Sequence, residues 1–456
     1  VFLILLSVFG IKAALFADAI DQTKDQLAVP PKVTFSKVDF VKKLSTTLST
    51  GTPDQALMLF DSLPSDASVS TDLSVLKASL LLSAGRSKEA AALADQLQQK
   101  EPMNISVLTL SMMIAKKNDD KTKKASLIKQ ILSIDPKNAD ANVELGGEQA
   151  LGHHYALARD YYGKALASDP ENLNALFGYG QMSYYIEKDD DAKKSFEKMI
   201  EVDPQNALAY AYLGKLESEN HSYLAAKEYI DKAIALDPSN TDFYLDLGTY
   251  CRFLGKYSDA ENAWKKAVET DPDYFLGYAY LAGIYDEENK FDEALDAYRK
   301  VIEKNPKYYY AYESLGIFAW HSGNYTEARQ AFEKARQMNL DNISYSLMIA
   351  ACYMKEGDSV NCKKFTEEVM KKQDKTTLEY LMVRMYHDKG GDGAVAVKIQ
   401  DEENRTKRGK MLYYLALYFD ITGKQSLAQK YYSQVVEMKC PMFFEYRLAE
   451  WSSKPE

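Results

Sequence analysis

The chain has 456 residues, 46% of them apolar and 27% charged, with a formal net charge of −10. That length fits about three domains or one long repetitive one, and the mix excludes a collagen, a disordered tail and a polytopic membrane protein. The acidic balance, with no long basic run, leaves no field to hold nucleic acid, and 4 Cys are too sparse for a disulfide scaffold.

At the N-terminus, Val1 to Phe16 is an apolar run broken only by Ser7, Gly10 and Lys12, and Ala17-Asp18-Ala19 follows as a small-x-small pattern. Residues 1–19 therefore predict an export signal cut after Ala19, with the rest of the chain in the periplasm or secreted. Two other readings stay open. One is an uncut anchor, a membrane tether through residues 1–17 that leaves the remainder outside the cytoplasm. The other is a buried N-terminal helix. A basic stretch ahead of the run is missing, and the run is short for a span of about 20 residues. Residues 20–36 are polar, carry Pro30-Pro31 and predict a linker.

Beyond the linker one period takes over. Pro102, Pro136, Pro170, Pro204, Pro238, Pro272 and Pro306 stand 34 residues apart, and a fixed period of that size means a solenoid. With Pro at position 32 of a 34-residue unit, position 20 reads Ala56, Ala90, Lys124, Ala158, Ala192, Ala226, Ala260, Ala294, Ala328 and Cys362. Position 8 is Gly146, Gly180, Gly214, Gly248, Ala282, Gly316 and Ala350, and position 24 is Tyr162, Phe196, Ile230, Trp264, Tyr298 and Phe332. The small residues at 8 and 20 predict two helices in close approach, with the large residue at 24 filling space against position 4. Asp-Pro pairs such as Asp203-Pro204 end the second helix, because Pro disfavours the α conformation in the residue before it. Asn138, Asn172, Asn206 and Asn240 then serve as caps for the next first helix. Tyr fills the aromatic slots, which accounts for 33 Tyr against 3 Trp.

Tyr244-Leu247-Gly248, Ala260, Trp264, Ala267 and Pro272 resemble the tetratricopeptide repeat family. The resemblance covers residues 37–442 as about twelve units, which start at 37, 71, 105, 139, 173, 207, 241, 275, 309, 343, 377 and 409. It implies an all-α, right-handed superhelical solenoid. Residues 443–456, with Phe443, Phe444, Tyr446, Leu448 and Trp451, predict a helix that caps the final apolar face, then a tail. The third unit is degenerate, with Lys124 where Ala is expected, and the eleventh is short and carries Gly390-Gly391-Asp392-Gly393. Both predict weak points.

Chemistry is sparse. The 5 His form no His-Glu-x-x-His, and His153, His154 and His221 fall in turns between helices. No Cys-x-x-Cys exists, so neither a metal nor a cofactor is expected. Cys352 and Cys362 face each other within one unit as buried thiols that could pair in an oxidising compartment. The repeats consume residues 37–442, leaving no stretch for a catalytic domain, and the expectation is a non-enzyme.

In the family the first helices line a concave groove through positions 2, 5, 9, 12 and 13, with 6 nearby. The resemblance thus points to Phe177, Gln181, Tyr184, Tyr212, Lys215, Arg252, Tyr310 and Trp320 as a mixed aromatic and polar surface for a protein or peptide partner. Packing between units is the competing role for each aromatic. No unit combines Lys at position 5 with Asn at position 9, so the carboxylate clamp of chaperone adaptors is absent. The expected function is an exported, non-catalytic scaffold. The alternative is an accessory subunit whose groove binds a lipid, a glycan or another non-protein ligand for a separate enzyme.

Overall fold

A computed structural model describes residues 37–63 and 69–453. The expected signal, anchor and linker, residues 1–36, lie outside the described residues, as does the tail after Ser453. The described residues form 25 helices and no strand, an all-helical repeat solenoid. Twelve helix pairs open at Lys37, Thr71, Ile105, Ala139, Leu173, Ala207, Thr241, Phe275, Tyr310, Ile343, Leu378 and Arg405, and a last helix, Phe444–Ser453, follows. The pairs are called repeats one to twelve below. Among the described residues, no helix is long and apolar enough to cross a membrane. The chain divides into two compact units after Leu236.

Capping sets the phase of the repeats. The side chains of Asn138, Asn172 and Asn206 accept the backbone N–H of Ala141, Ala175 and Ala209 at 3.0, 3.0 and 3.1 Å, satisfying one of the donors that a helix start leaves open. Repeat twelve departs from the expected start at 409. Asn404 accepts the Lys407 N–H at 2.9 Å, so the first helix runs from Arg405 to Ile421, longer than its counterparts.

The ring at position 24 lies on the glycine at position 8 of its own repeat, one turn on from position 4 along the same helix face. A Cβ added to Gly180 would stand 2.8 Å from the Phe196 ring, and one on Gly316 would stand 2.8 Å from Phe332. The reason is local. Glycine lets the ring lie flat on the first helix and still reach position 6 of the next repeat. Phe196 stacks on Tyr212 at 4.8 Å, and Trp264 stacks on Tyr280 at 5.2 Å. Trp264 also donates its indole N–H to the Leu245 carbonyl at 3.1 Å. One ring thus ties two helices of its own repeat to the following one.

From repeat two onward, the turn inside the repeat takes a left-handed residue at position 15. Gly255, Gly323 and Gly357 supply it at φ 72°, 78° and 76°. Asp119, His153, Glu187, His221 and Asn289 occupy the same slot at φ 54° to 59°. His153 and His221 are therefore turn residues, and their nitrogens contact Tyr155 and Tyr223 hydroxyls two residues on.

Repeats three and eleven are the irregular ones. Within the N-terminal unit, the helix Lys121–Ile134 meets Ala139–Leu151 less than the other second helices meet the first helix of the next repeat. The second helix of repeat eleven, Asp392–Gln400, has only 9 residues. Cys352 and Cys362 are buried free thiols, and Cys362 Sγ donates to the Ala350 carbonyl at 3.6 Å. Burial pushes the Cys362 thiol up to about 11.

Two substitutions test this packing. Gly248→Ala gains about 1 kcal/mol of helix propensity, but its methyl enters the space of the Trp264 ring, and overpacking costs about 1–3 kcal/mol. A lower melting temperature than wild type is expected. Glu187→Gly should act the other way. It relieves a left-handed residue worth about 1–2 kcal/mol against about 0.5–1 kcal/mol of glycine entropy, so the urea midpoint should rise.

Candidate functional site

In the N-terminal unit, the first helices of repeats two to five present a continuous hollow strip. Its larger part is a cavity of about 840 Å³. One wall is Lys116 and Lys124, held by Glu144 and Glu148; the opposite wall is Asn174, Phe177, Gln181 and Tyr185. The smaller part, about 390 Å³, is bounded by Ser79, Leu82, Met113 and Lys117 and shares Lys116 and Glu144 with the first.

The sequence of repeat four opens the space. Groove positions 5, 9 and 12 carry Val143, Gly147 and Ala150, none long enough to cross it. Below them the Tyr162 ring lies against Gly146 at 2.9 Å from where a Cβ would stand, and also against Gly178. Burial, then the Glu144 charge, raises the Tyr162 phenol above its usual range. At the lip Leu151 is 85% exposed and Tyr185 is 48% exposed, two large apolar side chains left facing water.

The charged wall comes from the departure at Lys124. Its ammonium lies 2.8 Å from Glu148 and 3.5 Å from Glu144, and Lys116 also pairs with Glu144. Burial pulls the Lys124 ammonium down, but Glu148 and Glu144 outweigh it and hold the group above the usual lysine value. An amine stands where most repeats carry alanine, and it bridges from repeat three to two carboxylates of repeat four.

Of the residues read from the sequence, Phe177 and Gln181 line the cavity. Phe177 also packs edge-on against Tyr212 at 5.5 Å, and Gln181 donates its amide N–H to the Tyr212 hydroxyl at 2.6 Å. Tyr212 is the half-buried centre of this cluster. Tyr184 meets its ring edge-on at 6.0 Å, and the Lys215 ammonium lies 5.5 Å from it. Arg252, Tyr310 and Trp320 belong to the C-terminal unit. Arg252 pairs with Glu287 at 3.0 Å, Tyr310 is 61% exposed with its ring 3.9 Å from Tyr309, and half-buried Trp320 packs edge-on to Tyr325 at 5.0 Å. The sequence reading missed Glu144, Glu148, Leu151 and Lys116. Two signals pointed to them: the lysine in an alanine slot and the Gly146-Gly147 pair in repeat four. Among the described residues, no group of three His, Cys, Asp or Glu could hold a metal ion.

Residues 241–274 and 284–339 each match a family model described as tetratricopeptide repeat. Among solved structures, MamA is 28% identical over 36% of this chain and 95% of its own, with a TM-score of 0.33. YrrB, described as a TPR protein with an unusual peptide-binding site, is 22% identical over 40% of this chain and 94% of its own, with a TM-score of 0.33. The Cut9–Hcn1 hetero-tetramer of the APC/C is 19% identical over 69% and 63%, with a TM-score of 0.46. No curated protein matches the chain.

The packed and the exposed large side chains of this site should separate on mutation. Tyr212→Ala removes a ring stacked between neighbours and should lower stability by about 2 kcal/mol or more. Leu151→Ser removes a side chain already in water and should shift stability by no more than about 0.5 kcal/mol. Thermal melts of the two variants check this.

Proposed function

Because this chain is a tetratricopeptide repeat protein, we propose that it is a non-catalytic scaffold that holds an extended segment of a protein partner in the strip across repeats two to five. Repeats of this kind present surfaces for proteins and peptides. The observation that carries the reading is the cavity of about 840 Å³ with exposed Leu151 and Tyr185 at its lip. Large apolar groups beside amides and charges are what binding hot spots use. An apolar side chain of the partner would settle over Leu151 and Tyr185, and its backbone would bond to the amides of Asn174 and Gln181. The paired charges of Lys116, Lys124, Glu144 and Glu148 favour a peptide, which carries both signs, over a lipid tail, which carries none.

The N-terminal apolar run supports a place outside the cytoplasm for this scaffold. Cell fractionation with N-terminal sequencing of the mature protein tests that. A chain retained whole in the cytoplasm would remove export from the reading.

The binding test is a double variant, Leu151→Ser with Tyr185→Ala. Loss of an aromatic anchor costs about 2 kcal/mol, roughly 30-fold in affinity. Partner capture from extract, followed by mass spectrometry, should fall by that factor or more while the melting temperature stays at the wild-type value. A folded double variant that captures its partner undiminished would move the surface elsewhere.

A further inference from the structure

The C-terminal helix does not end the chain as a simple cap. One side of Phe444–Ser453 closes repeat twelve: Leu448 and Ala449 are buried, and the Tyr446 hydroxyl donates to the Val436 carbonyl at 3.4 Å. The other side faces back onto repeats eight to ten. Arg447 forms an ion pair with Asp286, 161 residues away in sequence. Trp451 lies 4.3 Å from the His321 ring and 5.0 Å from Phe291, ring centre to ring centre. Phe444 stacks near Phe332 and Tyr345 at 6.1 and 6.3 Å. Asp286 and His321 are positions 12 and 13 of their repeats, the positions that Lys116 and Tyr185 hold on the N-terminal strip.

We infer that this face of repeats eight to ten is a groove for an amphipathic helix of a protein partner, and that the chain's own helix 444–453 is its resident occupant. The resident shows what the groove takes: an aromatic residue, a cation three positions on, and Trp four positions after that. The spacing of 444, 447 and 451 puts these side chains on one helix face. Charge complementarity fixes the direction, because Asp286 receives the cation. The groove lies in the C-terminal unit and does not depend on the strip in the N-terminal unit.

The resident is built to be exchanged. Glu445 is 0% exposed within the docked helix. One carboxylate oxygen accepts the Tyr414 hydroxyl at 2.9 Å, and the other lies by the Ser344 hydroxyl without a well-formed hydrogen bond. Burial raises its pKa, which the Lys410 charge and the Ser344 and Tyr414 hydroxyls only partly offset. Docking therefore desolvates a carboxylate that undocking returns to water. A partner helix with a neutral residue at that place avoids this cost and competes with an advantage.

The test uses the full chain and a fluorescein-labelled peptide of residues 442–453. Arg447→Glu with Trp451→Ala in the chain loosens only the groove-facing side of the resident. This variant should capture the wild-type peptide at least about tenfold more tightly than the wild-type chain does. Adding Asp286→Arg should abolish that capture, and a peptide carrying Arg447→Glu should restore it. Equal capture by wild-type and loosened chains, or indifference to Asp286→Arg, would overturn the inference. Dimerisation of the loosened chain in light scattering would overturn it too, assigning the groove to a second copy. Should the loosened chain fail to fold, Glu445→Gln in the chain is the second variant. It removes the buried charge, so peptide capture should fall and amide exchange across 444–453 should slow by about tenfold. Unchanged exchange would count against the inference. Failure of the N-terminal strip as a binding surface would show in Leu151→Ser with Tyr185→Ala and would leave every one of these readings as it is.

Discussion

The contact on which everything else rests is a ring lying on a glycine. Phe196 on Gly180, Trp264 on Gly248 and Phe332 on Gly316 bring the two helices of a repeat into close approach and then project toward the next repeat. No single repeat can bury that ring from both sides. Stacking is therefore obligatory, and the stability of such a chain is a sum over neighbouring interfaces. The same geometry sets where side chains can face outward. Positions 8, 20 and 24 are committed to packing, whereas positions 5, 9, 12 and 13 of the first helices vary in their contacts from repeat to repeat.

A solenoid gains specificity where its period is broken. Lys124 in an alanine slot reaches across to Glu144 and Glu148 of repeat four, and Gly147 with Ala150 leaves the space beside it unfilled. The charge network of Lys116, Lys124, Glu144 and Glu148 holds the opening without leaving a bare buried charge. In the C-terminal unit the short repeat eleven plays a comparable part. The hydroxyl of Tyr414 in repeat twelve reaches the Ser344 carbonyl in repeat ten at 3.1 Å, so repeats on either side of the short one touch directly.

The repeat phase was legible in the sequence because proline, glycine and alanine each answer to a local constraint: a helix stop, a close approach, a crowded crossing. Which residue of the next repeat a ring would reach was not legible: Phe196 and Trp264 lie on a glycine of their own repeat and stack on Tyr212 and Tyr280 of the following one. Phe177 and Gln181 line a hollow, a place that helical spacing alone suggests. Tyr212 was chosen by the same spacing, yet half-buries itself between Phe196, Phe177 and Gln181. That outcome depends on the neighbouring repeat. The course of the terminal helix was the least legible, because it turns on a pairing between Arg447 and Asp286 that no local pattern announces.

The distribution of indoles has a spectroscopic consequence. All 3 Trp, at 264, 320 and 451, fall in the C-terminal unit. Trp264 is almost wholly buried, Trp320 is half-buried, and Trp451 lies between His321 and Phe291 on the terminal helix. Tryptophan emission from this chain therefore reports on one half of the molecule only, whereas circular dichroism weighs both. Where the two signals part company during denaturation, the difference belongs to the half that carries the open strip and no indole at all.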